Sequence, residues 1–174
     1  GVRIDADMSL SVQTAFADSV AATIRDEVGD ANVFIKDLRG GEHSGYRAVH
    51  VLTKYPAGRC EIQLRTQLQS AWANAYELLA MIVGREIRYG GMPSNAPGRS
   101  LVVSMLQESR TIAEFEGRLN LLSHLSHVSE SVDEATRKIL ASKYNEDKKG
   151  EEPILRSLHD MEQRLLALVR GDRD

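Results

Sequence analysis

Cysteine is almost missing from this sequence. Cys60 stands alone in 174 residues, so no internal disulfide can form, and a reducing cytoplasm is the expected setting. An excess of either charge is missing too, with 22 Lys and Arg against 25 Asp and Glu for a formal net charge of −3. That balance gives no global attraction to nucleic acid or to an anionic membrane, and leaves room only for a local basic patch. No apolar run approaches the roughly 20 residues that cross a bilayer, so no membrane partner is expected. The start lacks a basic flank followed by an apolar segment, which argues against a signal peptide. It also lacks an initiator methionine. Gly1-Val2-Arg3-Ile4 reads as the middle of a strand, and the chain is expected to be a fragment. No internal repeat or low-complexity tract is seen.

What is present is ordinary for a globular protein. With 42% hydrophobic and 27% charged residues, the chain can bury a core, and its length fits one domain with a helical appendage. Val2 to Ile4 is a strand candidate. From Ser11 to Val28, the residues Val12, Ala15, Phe16, Val20, Ile24 and Val28 recur at helical spacing, with Ser9 or Ser11 as N-cap and Gly29 as terminator. Val33 to Ile35 form a second strand, closed by Lys36-Asp37. A loop holding Gly40, Gly41 and Gly45 follows. Residues 46–54 and 59–65 alternate as strands about a Tyr55-Pro56-Ala57-Gly58 turn. Thr66 with Gln69 has the capping-box form and opens a helix to about Val83. Gly84 to Gly98 reads as a loop, the best candidate for a mobile segment. Three helices are predicted beyond it: Leu101 to His124, Ser131 to Tyr144 and, after a charged break over Asn145 to Pro153, Ile154 to Val169. This order predicts an α+β fold, with a sheet domain over residues 1–95 and a helical C-terminal region over 96–174.

The stretch "HSGYRAVHVLTKYPAGRCEIQLRTQ", residues 43–67, carries the most information. Successive side chains on a strand point to opposite faces. Pairing Lys54 with Arg59 across the turn puts His50 opposite Gln63 and Leu52 opposite Glu61. Val49, Val51, Ile62 and Leu64 then form an apolar face, while Tyr46, His50, Glu61, Gln63 and Arg65 converge on the other. Alternation alone requires no more than a hairpin with one wet face. A solvated face favours Lys, Thr and Glu, however, and this one holds Tyr, His and Gln with one lone acid. Arg65-Thr66 runs straight into a helix N-terminus, a natural seat for phosphate. The glycine-rich loop before Tyr46 would let a ligand approach closely.

"SGYRAVH", then "CEIQLRT", then "SAWANAYE" resemble the synthetase domain of the RelA/SpoT family, from Gly1 to about Tyr89, half of the chain. The resemblance implies a nucleotidyltransferase-like mixed β-sheet flanked by helices. It implies pyrophosphate transfer from ATP to the 3′ hydroxyl of GTP or GDP, with Mg²⁺ as cofactor, making the alarmones ppGpp or pppGpp. Tyr46 would stack on guanine, and His50 and Gln63 would hold the acceptor's sugar or phosphates. Glu61 would bind Mg²⁺ and help deprotonate the 3′ hydroxyl, and Arg65 would sit near phosphate. Arg47, Ser70 and Asn74 join the substrate-binding candidates, and Arg3, Lys36, Arg85 and Arg88 are phosphate candidates. These roles suit the chemistry, since Mg²⁺ takes carboxylate and phosphate oxygens and phosphoryl transfer is mostly positioning and charge neutralisation.

The resemblance also has departures. An aspartate expected three residues before the glycine of the "GVRI" strand, and the Arg and Lys residues that hold ATP, would fall before Gly1. The resemblance therefore implies the acceptor half of a site, in a chain inactive by itself. Glu42 stands where a lysine is usual, and a carboxylate there repels phosphate. That favours two alternatives: a toxin-type member acting on the 3′ end of tRNA, or a non-catalytic nucleotide-binding regulatory module.

Other candidates read as ordinary structure. His159-Asp160 is a surface pair, and His124 with His127 lacks a further ligand at metal spacing. Cys60 falls on the apolar face as a small hydrophobe. Trp72 is core or site wall, and Lys148-Lys149 is a solvated linker. The apolar stripe of the last helix packs within the chain or serves a homo-oligomer through the C-terminal helices.

Overall fold

The computed structural model describes residues 1–28, 32–41, 44–55, 57–128 and 133–170. Gly29, Glu42, Pro56, Ser131 and the side chain of His127, all weighed above, lie outside the described residues. Four strands form one mixed sheet in the order β1-β4-β3-β2: β1 Val2–Ala6, β2 Asn32–Asp37, β3 Val49–Tyr55 and β4 Gly58–Thr66. β1 runs parallel to β4, and the other neighbours are antiparallel. The hairpin register is the expected one, with Lys54 paired to Arg59, Leu52 to Glu61 and His50 to Gln63. Pairing starts at Val49 rather than at Tyr46. β2 ends at Asp37, opposite Val49, and beyond it the Leu38 amide still donates to Ala48 O (2.9 Å).

Helix α1 (Leu10–Val28) is capped by Ser9, whose hydroxyl accepts from the Val12 amide. It covers one face of the sheet, packing Ala17 and Ala21 on Val33, Val49, Val51 and Leu64. The buried row is Gln13-Ala17-Ala21, not the expected Val12-Phe16 stripe: Val12 is 53% and Phe16 37% exposed. Small side chains let the helix lie close to the strands, which moves the larger ones to its flanks. Gln13 is sealed beneath it because its amide donates to Leu64 O (2.9 Å) and Gln69 Oε1 (2.8 Å).

Thr66 and Gln69 form the expected capping box at the start of α2 (Gln67–Val83). The segment expected to be a mobile loop is partly ordered. Arg85–Tyr89 is a 3₁₀ turn, anchored by buried Ile87, whose carbonyl accepts from the Tyr76 hydroxyl (3.0 Å). α3 then runs over Ala96–Val128, α4 over Glu134–Lys148 and α5 over Glu151–Arg170. The expected charged break narrows to Lys149-Gly150. Pro153 is tolerated in the first turn of α5, where the backbone N–H has no intrahelical partner to lose. Lys148 is no solvated linker, since it pairs with Asp7 (2.8 Å) and Glu151. α2, α3 and α5 share one apolar cluster that includes Trp72, Leu79, Met105, Ile112, Leu158 and Leu165. Among the described residues no helix is long and apolar enough to cross a membrane.

Candidate active site

The sheet face opposite α1 carries the polar residues. The register places Arg3, Gln63, His50 and Lys36 in one row across all four strands. Glu61, Leu52 and Phe34 form the row beside it.

Around these rows five side chains close a ring of hydrogen bonds. The Tyr46 hydroxyl meets His50 Nε2 (2.9 Å) and His50 Nδ1 meets Glu61 Oε1 (2.8 Å). Gln63 Nε2 donates to Glu61 Oε2 (3.1 Å), and Arg65 Nη2 donates to both Gln63 Oε1 (2.8 Å) and the Tyr46 hydroxyl (2.8 Å). The two ends fix the directions. A carboxylate only accepts and a guanidinium only donates. Glu61 therefore takes the Nδ1 proton, and Nε2 of a neutral imidazole accepts from tyrosine. Arg65 feeds two arms, one through Tyr46 and His50 and one through Gln63, and both end on Glu61. The Arg65 guanidinium also lies over the Tyr46 ring, 4.9 Å from its centroid, a cation–π contact.

Burial follows the same polarity. Arg65 is 4% and His50 7% exposed, whereas the Glu61 side chain is 40% exposed. Arg65 was expected near phosphate; it is instead buried and engaged inside the ring. Burial pushes the His50 imidazole below its usual pKa, against the upward pull of the Glu61 charge. Burial also pushes the Tyr46 hydroxyl up. Both directions favour the neutral forms that the ring requires. Because the folded pKa of His50 lies below its unfolded value, its contribution to stability is full above about pH 6.5 and is lost as pH falls toward the lowered folded value. An NMR titration is expected to give His50 a midpoint below about 6.5. A midpoint at or above that value would mean that Nε2 carries a proton and that the ring runs otherwise.

The ring joins two cavities. One, of about 440 Å³, is lined by Lys36, Asp37, Gly41, Ser44, Tyr46 and Arg88. The other, of about 500 Å³, includes Phe34, Leu52, Lys54, Arg59, Cys60 and Glu61 in its lining. Cys60, expected in the core, is thus a half-buried wall residue. Lys36, Tyr46 and Arg88 line one cavity, and Arg88 also pairs with Glu77. Arg85, exposed on the same 3₁₀ turn, does not line that cavity. Arg3 donates to Asn74 Oδ1 (3.3 Å), tying β1 to α2 at the end of the polar row. Ser70 is buried in the first turn of α2. Arg47 turns away from the ring: its guanidinium donates to Arg39 O and to Ser109 O (3.2 Å) and Oγ (3.0 Å).

The N-terminus of α2, read as a phosphate seat, has Glu116 of α3 beside it. The Glu116 carboxylate of α3 accepts from the Thr66 hydroxyl and from Gln69 Nε2 (3.0 Å), beside buried Thr66. A carboxyl group of the chain itself thus lies beside the first turn of the helix. Burial still pushes the Glu116 carboxyl up, with the two hydrogen bonds opposing. Sequence reasoning missed Glu116 and Ser109. Their signal was there, as two polar residues seven apart within the apolar stripe of Met105, Ile112 and Leu119.

No protein-family model matches the chain. Over 108 residues, 62% of this chain, it is 52% identical to uncharacterized proteins of Mycobacterium tuberculosis and Mycobacterium bovis, and the match covers 38% of their length. Among solved structures it is similar to small alarmone synthetase 1 from Bacillus subtilis, with a TM-score of 0.51 and 18% identity, over 73% of this chain and 63% of that one. A GTP pyrophosphokinase family protein from Streptococcus pneumoniae superposes with a TM-score of 0.44 and 16% identity, over 67% of this chain and 56% of that one. The chain has the α+β fold of a small alarmone synthetase.

Proposed function

We propose that this chain carries the acceptor site of a nucleotide pyrophosphokinase that moves pyrophosphate from ATP to the 3′ hydroxyl of GTP or GDP. The observation that carries the reading is the ring, which ties a tyrosine in a cation-lined cavity to a half-exposed carboxylate. Guanine stacks on Tyr46, with Arg65 supporting that ring. Lys36 and Arg88 offer charge to phosphate at the same cavity. Glu61 accepts the proton of the attacking hydroxyl, and His50 and Gln63 hold its carboxylate in place.

The residues present fit Mg²⁺ in part. Each Glu61 oxygen accepts one hydrogen bond and keeps a lone pair free. Mg²⁺ uses one or two carboxylates and takes other oxygens from substrate phosphates. Among the described residues no group of three or more His, Cys, Asp or Glu could hold a metal, so Glu61 would hold it with nucleotide phosphates. When bound, the ion neutralises phosphate charge.

The test is binding of GDP, with ADP beside it, to the chain and to Tyr46→Ala. Loss of stacking is expected to weaken GDP binding by about 1–3 kcal/mol. Tyr46 also packs against the apolar cluster of α2 and α3, contrary to a purely wet-face placement, so the thermal midpoint should fall as well and binding is compared well below both midpoints. Equal GDP affinity in the two proteins would remove Tyr46 from the site and the reading with it.

A further inference from the structure

We propose that α3 sets the geometry of the ring, with Ser109 and Glu116 as positioning residues for Tyr46 and Arg65. The proposal rests on the reading of those two as site residues. Seven residues apart, Ser109 and Glu116 share one face of the helix about 10 Å apart along its axis. Each grips the backbone or side chain next to one of the two ring members that contact each other.

At the first grip, the Ser109 hydroxyl donates to Gly45 O (2.5 Å), and Arg47 Nε donates to Ser109 Oγ (3.0 Å) and O (3.2 Å). Tyr46 therefore hangs between two neighbours fastened to the same serine. Gly45 adopts φ +76°, and an added Cβ would lie 3.1 Å from Leu106 and Trp72 and 3.2 Å from Ser109. The approach is close enough that only glycine fits without displacement. At the second grip, Glu116 receives Thr66 Oγ1 and Gln69 Nε2. Thr66 directly follows Arg65. The donor directions here are fixed too, because Gln69 Oε1 already accepts from Gln13 Nε2 (2.8 Å) and the Thr66 amide (3.3 Å). Between the grips, Ile112 is 1% exposed in the core. Upstream, Met105 O accepts from the Trp72 indole (2.7 Å). A helix beyond the motif-bearing residues thereby fixes the separation of Tyr46 from Arg65, and any shift of α3 along its axis reaches the ring at both points.

The experiment compares Ser109→Ala and Glu116→Gln with Ile112→Val, which trims packing beside Ser109 and Gln69 without removing a hydrogen bond of either grip. Glu116→Gln keeps the shape but replaces one of the two acceptor oxygens by an NH₂, so either Thr66 or Gln69 loses the acceptor it now donates to. The first readout needs no ligand: the His50 imidazole nitrogen resonances, assigned by their disappearance in His50→Asn. Both grip variants should move the Nε2 signal toward that of an imidazole free of the tyrosine hydroxyl, whereas Ile112→Val at a matched thermal midpoint should leave it in place. The second readout is GDP affinity, expected to fall about tenfold in the grip variants, the scale of one lost hydrogen bond. An unmoved His50 signal in both grip variants overturns the proposal. So does an equal shift in Ile112→Val, because α3 would then act through packing alone. If the unmutated chain binds no GDP, the proposed function fails while the brace is still judged by the His50 signal.

Discussion

Glu61→Gln is expected to cost about 10²–10⁴-fold in pyrophosphate transfer, the range for removing a positioned acid or base, with little loss of stability. The shape of the side chain is nearly kept, but the ring must reorganise. A carboxamide offers one acceptor oxygen where Glu61 accepts at both, from His50 Nδ1 and from Gln63 Nε2. If its NH₂ faces His50, the imidazole must switch tautomer so that Nδ1 accepts and Nε2 donates. The Tyr46 hydroxyl would then receive from both His50 and Arg65 and lose its own recipient. The other orientation would set the NH₂ against Gln63 Nε2, and a turned Gln63 would face the donor Arg65 with a donor. The His50 tautomer should therefore reverse in Glu61→Gln, visible in its nitrogen shifts, while the thermal midpoint moves little. Transfer from labelled ATP to GTP or GDP, measured in a form of the protein that is active unmutated, supplies the first readout. Unchanged turnover would remove Glu61 from the chemistry.

Arg65→Leu is expected to lower stability by about 2–4 kcal/mol. Hydrogen bonds from a charged donor contribute about 1.5–3 kcal/mol each, and a buried acceptor left alone costs its desolvation. Here two acceptors lose their donor at once, Gln63 Oε1 and the Tyr46 hydroxyl, in a position 4% exposed. Arg65→Lys separates this account from a phosphate-binding one. A lysine keeps the charge but not the planar fork over the tyrosine ring, so it should recover only part of the lost stability. If Arg65 served a bound phosphate instead, both variants would be about as stable as the parent and would differ only in ligand affinity. Urea unfolding at neutral pH distinguishes the two.

The hairpin was legible in the sequence because a period of two and a short turn leave few registers, and an apolar row of Val49, Val51, Ile62 and Leu64 selects one of them. The capping box of α2 was legible for a similar reason, because its chemistry is local. What escaped was polarity satisfied over long distances. Gln13 is fully buried since it answers Leu64 and Gln69, more than fifty residues away. Glu116 answers Thr66 and Gln69, and Ser109 answers Gly45. Hydropathy counts each as a surface residue, because the partner that makes burial affordable lies elsewhere in the chain. Arg65 was placed on the correct face, but no pattern says that Tyr46 would fold over it. Pro153 misled for the opposite reason: it marks a helix interior as broken but is welcome in a first turn.

A ring with a defined direction constrains how such a sequence can change by single steps. Each member is both the recipient of one neighbour and the supplier of the next, except at the arginine and the glutamate that terminate the arms. Replacing His50 by Gln, or Gln63 by His, preserves polarity in name while altering reach and the order of donors and acceptors, so one exchange leaves a neighbour mismatched. The energies of paired substitutions around the ring should therefore depart from their sums, as contacting members of one network do. Tolerated variants would then replace several of these positions together, and a homologue lacking one of them would carry compensating changes in the others.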